Sequence, residues 1–73
     1  MTRPRPKAQL NDRILRLEAV IEFSGLSETV IEDLVKRGRF PNAVRISDRA
    51  KGWLWSELRA WLDQRIRERD SAP

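Results

Sequence analysis

Residues 17–38 of this 73-residue chain read LEAVIEFSGLSETVIEDLVKRG and hold its clearest structural signals. Apolar residues recur at the three- and four-residue spacing of an amphipathic helix on both sides of Gly25-Leu26-Ser27. Glycine readily takes the left-handed conformation after a helix C-terminus, and serine is a preferred N-cap of the helix that follows. The stretch therefore predicts two short helices, over residues 17–24 and 28–37, joined as a helix-turn-helix unit.

The predicted second helix has an apolar side and a polar side. The side expected to face the core holds Val30, Ile31, Leu34 and Val35. The exposed side is expected to hold Ser27, Glu28, Thr29, Glu32 and Asp33. Lys36 and Arg37 suit the negative end of the helix dipole, and Gly38 is expected to end the helix.

Beyond Pro41 the hydrophobic period changes to that of strands. Val44 and Ile46 alternate with Arg45, residues 47–52 supply turn formers, and residues 53–55 return as a second strand with Trp53 and Trp55 on one face. Ser56 is a candidate N-cap for a third helix over residues 57–69, with an apolar stripe at positions 58, 61, 62 and 66. The predicted fold class is α+β, mostly helical, with a two-stranded hairpin, or wing, and a C-terminal helix.

The length allows one domain, predicted over residues 13–69. Residues 1–12 contain Pro4 and Pro6, lack hydrophobic periodicity, and are expected to form a flexible basic arm. The arm is either a solvated tail without a role or a segment that reaches phosphates or a minor groove. Residues 70–73 are expected to form a frayed tail.

The composition excludes several classes of chemistry. Without cysteine or histidine the chain has no means of building a disulfide, a zinc site or a catalytic thiol or imidazole, so we expect no enzyme, cofactor or metal. The acidic residues of the first two helices show no sign of a pocket that would perturb a pKa. No apolar run is long enough to span a membrane, and none follows the basic start as in a secretory signal, so a cytoplasmic protein is expected.

Charge is unevenly distributed along the chain. The net charge is +4, with basic excess in residues 1–16 and 38–55 and acidic excess in residues 17–37. A positive balance favours a polyanionic partner, and clustered bases favour it more than dispersed ones.

An ordered series of short motifs resembles the AlpA family of prophage regulators, which are related to phage excisionases and to MerR-type winged helix-turn-helix domains. The motifs, spread over residues 13–66, are Arg16-Leu17-Glu18-Ala19-Val20, Gly25-Leu26-Ser27, Gly38-Arg39-Phe40-Pro41, Arg49, Gly52-Trp53, Glu57-Leu58 and Trp61-Leu62. The resemblance implies a winged helix-turn-helix fold with the second helix in a major groove and the wing beside it. It also implies a role in prophage or mobile-element transcription, or in excision.

One feature departs from the family. In the family, the exposed face of the second helix usually carries basic and aromatic groups. The matching positions in this chain are Glu28, Thr29, Glu32 and Asp33. Carboxylates are repelled by phosphates, although a carboxylate can accept a hydrogen bond from cytosine N4.

Candidate site residues fall into two sets. Basic side chains from the end of the second helix through the wing are expected to contact DNA phosphates, unless they form only a solvated surface: Lys36, Arg37, Arg39, Arg45, Arg49 and Lys51. Exposed residues of the second helix are expected to read bases: Ser27, Glu28, Thr29, Glu32 and Asp33. The three tryptophans are expected mainly in the core, with Trp55 also a candidate for a rim or dimer contact.

The favoured function is a sequence-specific, double-stranded DNA-binding regulator of phage or mobile-element transcription. One small domain offers limited contact area, so a homodimer or a cooperative array is expected. Two alternatives stay open. One is an excisionase-like architectural factor that sets the direction of recombination by bending DNA and recruiting an integrase. The other is a protein-interaction module that has lost DNA readout.

Overall fold

The computed structural model describes residues 12–72 and contains three helices and three strands in this region. In chain order they are β1 (Ile14–Leu15), α1 (Leu17–Ser24), α2 (Glu28–Lys36), β2 (Val44–Ser47), β3 (Ala50–Leu54) and α3 (Trp55–Ser71). The strands form one antiparallel sheet in the order β1-β3-β2. This is a mostly helical α+β winged helix fold, and it confirms the predicted fold class.

The helix-turn-helix unit follows the predicted local signals. Gly25 ends α1 with a φ of 76°, and its N–H donates to the carbonyl of Ile21 at 2.8 Å. Ser27 caps α2, because its Oγ accepts a hydrogen bond from the N–H of Val30 at 3.3 Å. Gly38, with a φ of 72°, follows the C-cap residue Arg37. Both glycines thus occupy left-handed positions that other residues rarely adopt.

The wing is a hairpin of β2 and β3, but its turn is shorter than predicted. Arg45 pairs with Lys51 and Ser47 with Ala50, with a bulge between residues 45 and 47, so only residues 48–49 form the turn. The prediction of a turn over residues 47–52 was wrong because backbone pairing with β2 overrides the weak strand propensity of residues 50–52. Trp55 was wrongly placed in the strand, since it begins α3 and does not share a strand face with Trp53.

A third strand that the sequence pattern did not reveal supports the wing. In β1, Ile14 pairs with Leu54 and Leu15 pairs with Trp53. Two residues are too few for a recognisable alternation. Gly52, on the central strand, is buried, and a Cβ atom there would overlap Cγ2 of Ile14.

The start of α3 is stabilised from a distance rather than by a local cap. The prediction that Ser56 is the N-cap was wrong, because the N-cap residue is Leu54 and it makes no side-chain capping bond. Instead Asp12 accepts hydrogen bonds from the N–H of Ser56 at 3.1 Å and from its hydroxyl at 2.7 Å. These bonds, the side-chain one above all, lower the pKa of the Asp12 carboxyl. At its other end α3 continues to Ser71, past the expected residue 69.

One small core joins the helices to the sheet. Its most buried members, each at most 5% exposed, are Val20, Ile31, Phe40, Trp53 and Leu58. Trp61 packs on Phe40 with ring centroids 4.8 Å apart. Val30 was wrongly assigned to the core side of α2, because it is 42% exposed and does not belong to the core cluster or the residues packed against it.

Candidate nucleic-acid interface

A groove separates α2 from the wing. Its floor is apolar and includes Leu17, Val35 and Trp53. Its rim is polar and charged and consists of Glu28, Glu32, Lys36, Asn42 and Lys51. The groove therefore lies between the helix that is expected to read DNA bases and the hairpin that is expected to contact the DNA backbone.

The exposed surface of α2 divides into two rows of side chains. Glu28, Glu32 and Lys36, spaced by four residues, line the groove beside the wing. Thr29 and Asp33 are exposed and belong to a second row, which faces away from the core. The hydroxyl of Ser27 is occupied by the capping bond. The five residues predicted to read bases are thus distributed between a groove wall, an outer row and a cap.

A second hollow lies on the wing itself. Arg45, Arg49 and Lys51 line it together with Asp48 and two alanines. Nη1 of Arg45 donates to the carbonyl of Asp48 at 3.2 Å, which holds this arginine against the turn. Lys51 belongs to both hollows, with its Nζ 5.6 Å from the centre of the Trp53 ring. Because Lys51 lines both, the wing hollow adjoins the groove, whose rim carries two glutamates as well as two lysines.

Four of the six predicted phosphate contacts therefore lie together, and two are placed apart. Lys36 and Lys51 share the groove, and Arg45 and Arg49 lie on the wing. Arg37 instead forms an ion pair with Asp33 on the outer row of α2. Arg39 is exposed, and its carbonyl accepts a hydrogen bond from Nε1 of Trp61 at 2.9 Å. Neither Arg37 nor Arg39 lines the two hollows.

Two polar residues with defined roles, one in the groove and one at the start of α3, escaped the sequence reasoning. Asn42 lines the groove from the short connection between α2 and β2. A polar residue directly after Pro41 in a connection of this length was the available signal, because such connections run along the surface beside both elements. Asp12 caps α3 across 44 residues, and no local pattern reveals a partner at that distance.

Two further observations concern residues 12–72 alone. No group of three or more Asp, Glu, Cys or His side chains in this region is arranged to hold a metal ion. None of its helices has both the length and the apolar character needed to cross a membrane.

The sequence of the chain matches a known family. The family model described as Prophage CP4-57 regulatory protein (AlpA) matches residues 13–66. The chain is 38% identical over 55 residues to "Uncharacterized protein ORF88" of Enterobacteria phage P4, covering 75% of this chain and 62% of that protein. It is 33% identical over 61 residues to "DNA-binding transcriptional activator AlpA" of Escherichia coli (strain K12), covering 75% of this chain and 87% of that protein. The matched region thus spans about three fifths of the phage P4 relative.

Proposed function

The chain belongs to the AlpA family of prophage regulatory proteins, and we propose that it is a sequence-specific regulator that binds double-stranded DNA. The observation that carries the proposal is the set of four basic side chains that line the groove and the adjoining wing hollow: Lys36, Lys51, Arg45 and Arg49. A helix beside a cationic hairpin is suited to a DNA duplex, because the helix fits into one groove while the hairpin contacts the phosphates that flank it.

In the proposed complex α2 enters the major groove. The major groove of DNA is about 12 Å wide, and a helix with its side chains is about 10–12 Å in diameter, so one helix fills the DNA groove. The outer row of α2, with Thr29 and Asp33, then lies nearest the base edges. The wing lies along the adjacent backbone, where Arg49 and Lys51 neutralise phosphates. These contacts position the domain, and α2 supplies the sequence information.

Binding by several copies is part of the proposal. A single DNA-binding module of this kind buries only roughly 600–1,000 Å² of protein surface. Regulation at physiological salt therefore needs a homodimer or a cooperative array on adjacent sites.

The test is a titration of the protein against the DNA upstream of its own gene at several salt concentrations. Log affinity is expected to fall linearly with log salt, with a slope of about −0.9 per phosphate neutralised. Arg49→Ala should reduce the slope by about one such step. Arg67→Ala, which removes the same charge from the exposed surface of α3, is the matched control and should leave the slope unchanged. Absence of binding at low salt would refute the proposal.

A second candidate is an excision factor that bends DNA and recruits an integrase. The observation that favours it is the pair Glu28 and Glu32, which flank an apolar floor and fit a basic protein surface. The double variant Glu28→Gln/Glu32→Gln separates the two functions. For a regulator, neutralisation relieves repulsion by phosphates, and DNA affinity rises or stays equal. For the excision factor, DNA binding persists while co-binding with an integrase encoded beside the gene is lost.

A further inference from the structure

The outer row of α2 contains an acidic residue where repulsion by DNA is expected. Asp33 follows the buried Ile31 by two residues, which places it on the opposite side of the helix. Thr29 and Arg37 lie four residues before and after it, so the three form a line that faces away from the core. In the proposed complex this line is the part of α2 nearest the bases.

Asp33 does not stand alone on this line. Its Oδ2 lies 2.9 Å from Nε of Arg37, and both side chains remain more than half exposed. The backbone N–H of Arg37 also donates to the carbonyl of Asp33 at 3.1 Å, which ties Arg37 to the last helical turn. The carboxylate therefore attracts the guanidinium by its charge, at a position where the helix already holds the backbone of Arg37.

The closest approach within the ion pair is between Nε of Arg37 and Oδ2 of Asp33. Within residues 12–72 the side chain of Arg37 forms this ion pair and no side-chain hydrogen bond, so its Nη1 and Nη2 donors are available. A guanidinium with two free parallel donors matches the O6 and N7 acceptors of guanine in the major groove.

We infer that Arg37 determines specificity for guanine and that Asp33 is a positioning residue that holds its guanidinium towards the base. The inference rests on the proposed function and assigns Arg37 a role other than the phosphate contact expected from sequence. It also accounts for the acid on a DNA-facing helix, because the paired carboxylate is neutralised by its neighbour. Arg45 differs, since one of its Nη groups is occupied by the wing turn.

The chain offers a matched control for this pair. Arg59 and Asp63 on α3 have the same four-residue spacing and similar exposure, with Nε 3.4 Å from Oδ1. Exposed pairs of this kind contribute little to stability, so substitutions in either pair are expected to leave the fold intact. Circular dichroism of each variant checks this.

The experiment is selection from a library of random duplexes by the wild type, Arg37→Lys, Asp33→Ala and Arg59→Lys. The wild type should select a motif that contains a preferred guanine. Arg37→Lys keeps the charge but loses the planar fork, and it should lower that preference at least about fivefold at this position alone. Asp33→Ala should give a smaller loss at the same position without weaker binding to random DNA. Arg59→Lys should leave the motif unchanged.

Each outcome has a distinct meaning. If the wild type selects no motif, sequence-specific binding itself is refuted, and this inference falls with it. If a motif is selected and Arg37→Lys reproduces it, or weakens all positions equally, Arg37 does not read guanine although the proposed function stands. If Asp33→Ala alters only a different position, Asp33 does not position Arg37.

Discussion

Substitution of Gly52 by alanine tests how the wing is attached to the rest of the fold. Gly52 lies on the central strand β3, between β1 and β2. An added Cβ would overlap Cγ2 of Ile14 and would lie 3.1 Å from both Cδ1 of Ile46 and the carbonyl oxygen of Leu15. The backbone φ of Gly52 is not positive, so alanine is sterically hindered by its neighbours and not by its own backbone.

The size of the effect follows from which neighbours are able to move. Ile14 and Ile46 are 49% and 46% exposed and have room to rotate, whereas the Leu15 carbonyl belongs to the β1 backbone. Overpacking of a well-packed site costs roughly 1–3 kcal/mol, and the reduced entropy of the unfolded chain offsets about 0.4–1 kcal/mol of it. We expect a net loss of about 1–2 kcal/mol in the free energy of unfolding. For a domain of this size, that loss lowers Tm by roughly 4–16 °C.

Thermal unfolding of four proteins measures this effect: wild type, Gly52→Ala, Ile14→Ala and the double variant. Removal of the Ile14 side chain makes room for the new methyl group, so the double variant should be more stable than the two single effects predict. The reasoning is refuted if Gly52→Ala unfolds within about 2 °C of the wild type, or if Ile14→Ala gives no relief. Either result would mean that β1 does not cover Gly52.

Three further results are expected. We expect the wild type to lose stability as the pH falls below about 4, because a carboxyl whose folded pKa is lowered stabilises the fold above its unfolded pKa and loses this contribution on protonation. Asp12→Asn should flatten this loss. Acid titration followed by circular dichroism measures this, and equal acid profiles for both proteins would contradict the capping role. Ser27→Ala should lower the free energy of unfolding by about 1 kcal/mol through loss of the α2 cap, whereas Ser27→Gly should lower it by only a few tenths of a kcal/mol. Chemical denaturation measures both values, and equal stability of the two variants would count against the cap. Trp53→Phe should destabilise the fold, because it removes core volume and also the Nε1 donor that lies 2.9 Å from the Pro41 carbonyl oxygen. An unchanged denaturation midpoint would exclude a stabilising role of Trp53.

The sequence predicted the elements whose signals are local. The bounds of α1, the turn at Gly25 and the cap at Ser27 depend on contacts between residues three or four positions apart, which spacing alone reveals. The existence of the wing was predicted for the same reason, since Val44 and Ile46 alternate with Arg45. Burial of Trp53 was expected from its size in a chain that must build a core from few large residues.

Only part of the candidate site could be predicted from the sequence. Helical spacing identifies which residues of α2 share a row, but it does not say which row faces the wing. That depends on the tertiary position of α2 beside the wing, which brings Glu28, Glu32 and Lys36 to the groove and leaves Asp33 exposed outside it. The roles of these residues in DNA contact stay predictions.

The helix-turn-helix unit and the basic hairpin after it follow from local sequence, because helix periods, caps and turns are set by near neighbours. The extent of β3, its pairing with Ile14 and Leu15, and the Asp12 cap at the start of α3 become visible only in the folded chain. Each of these depends on backbone or side-chain hydrogen bonds between residues far apart in the chain. Such bonds override weak local propensity, since a buried or half-buried polar group must find its partner wherever the fold supplies one.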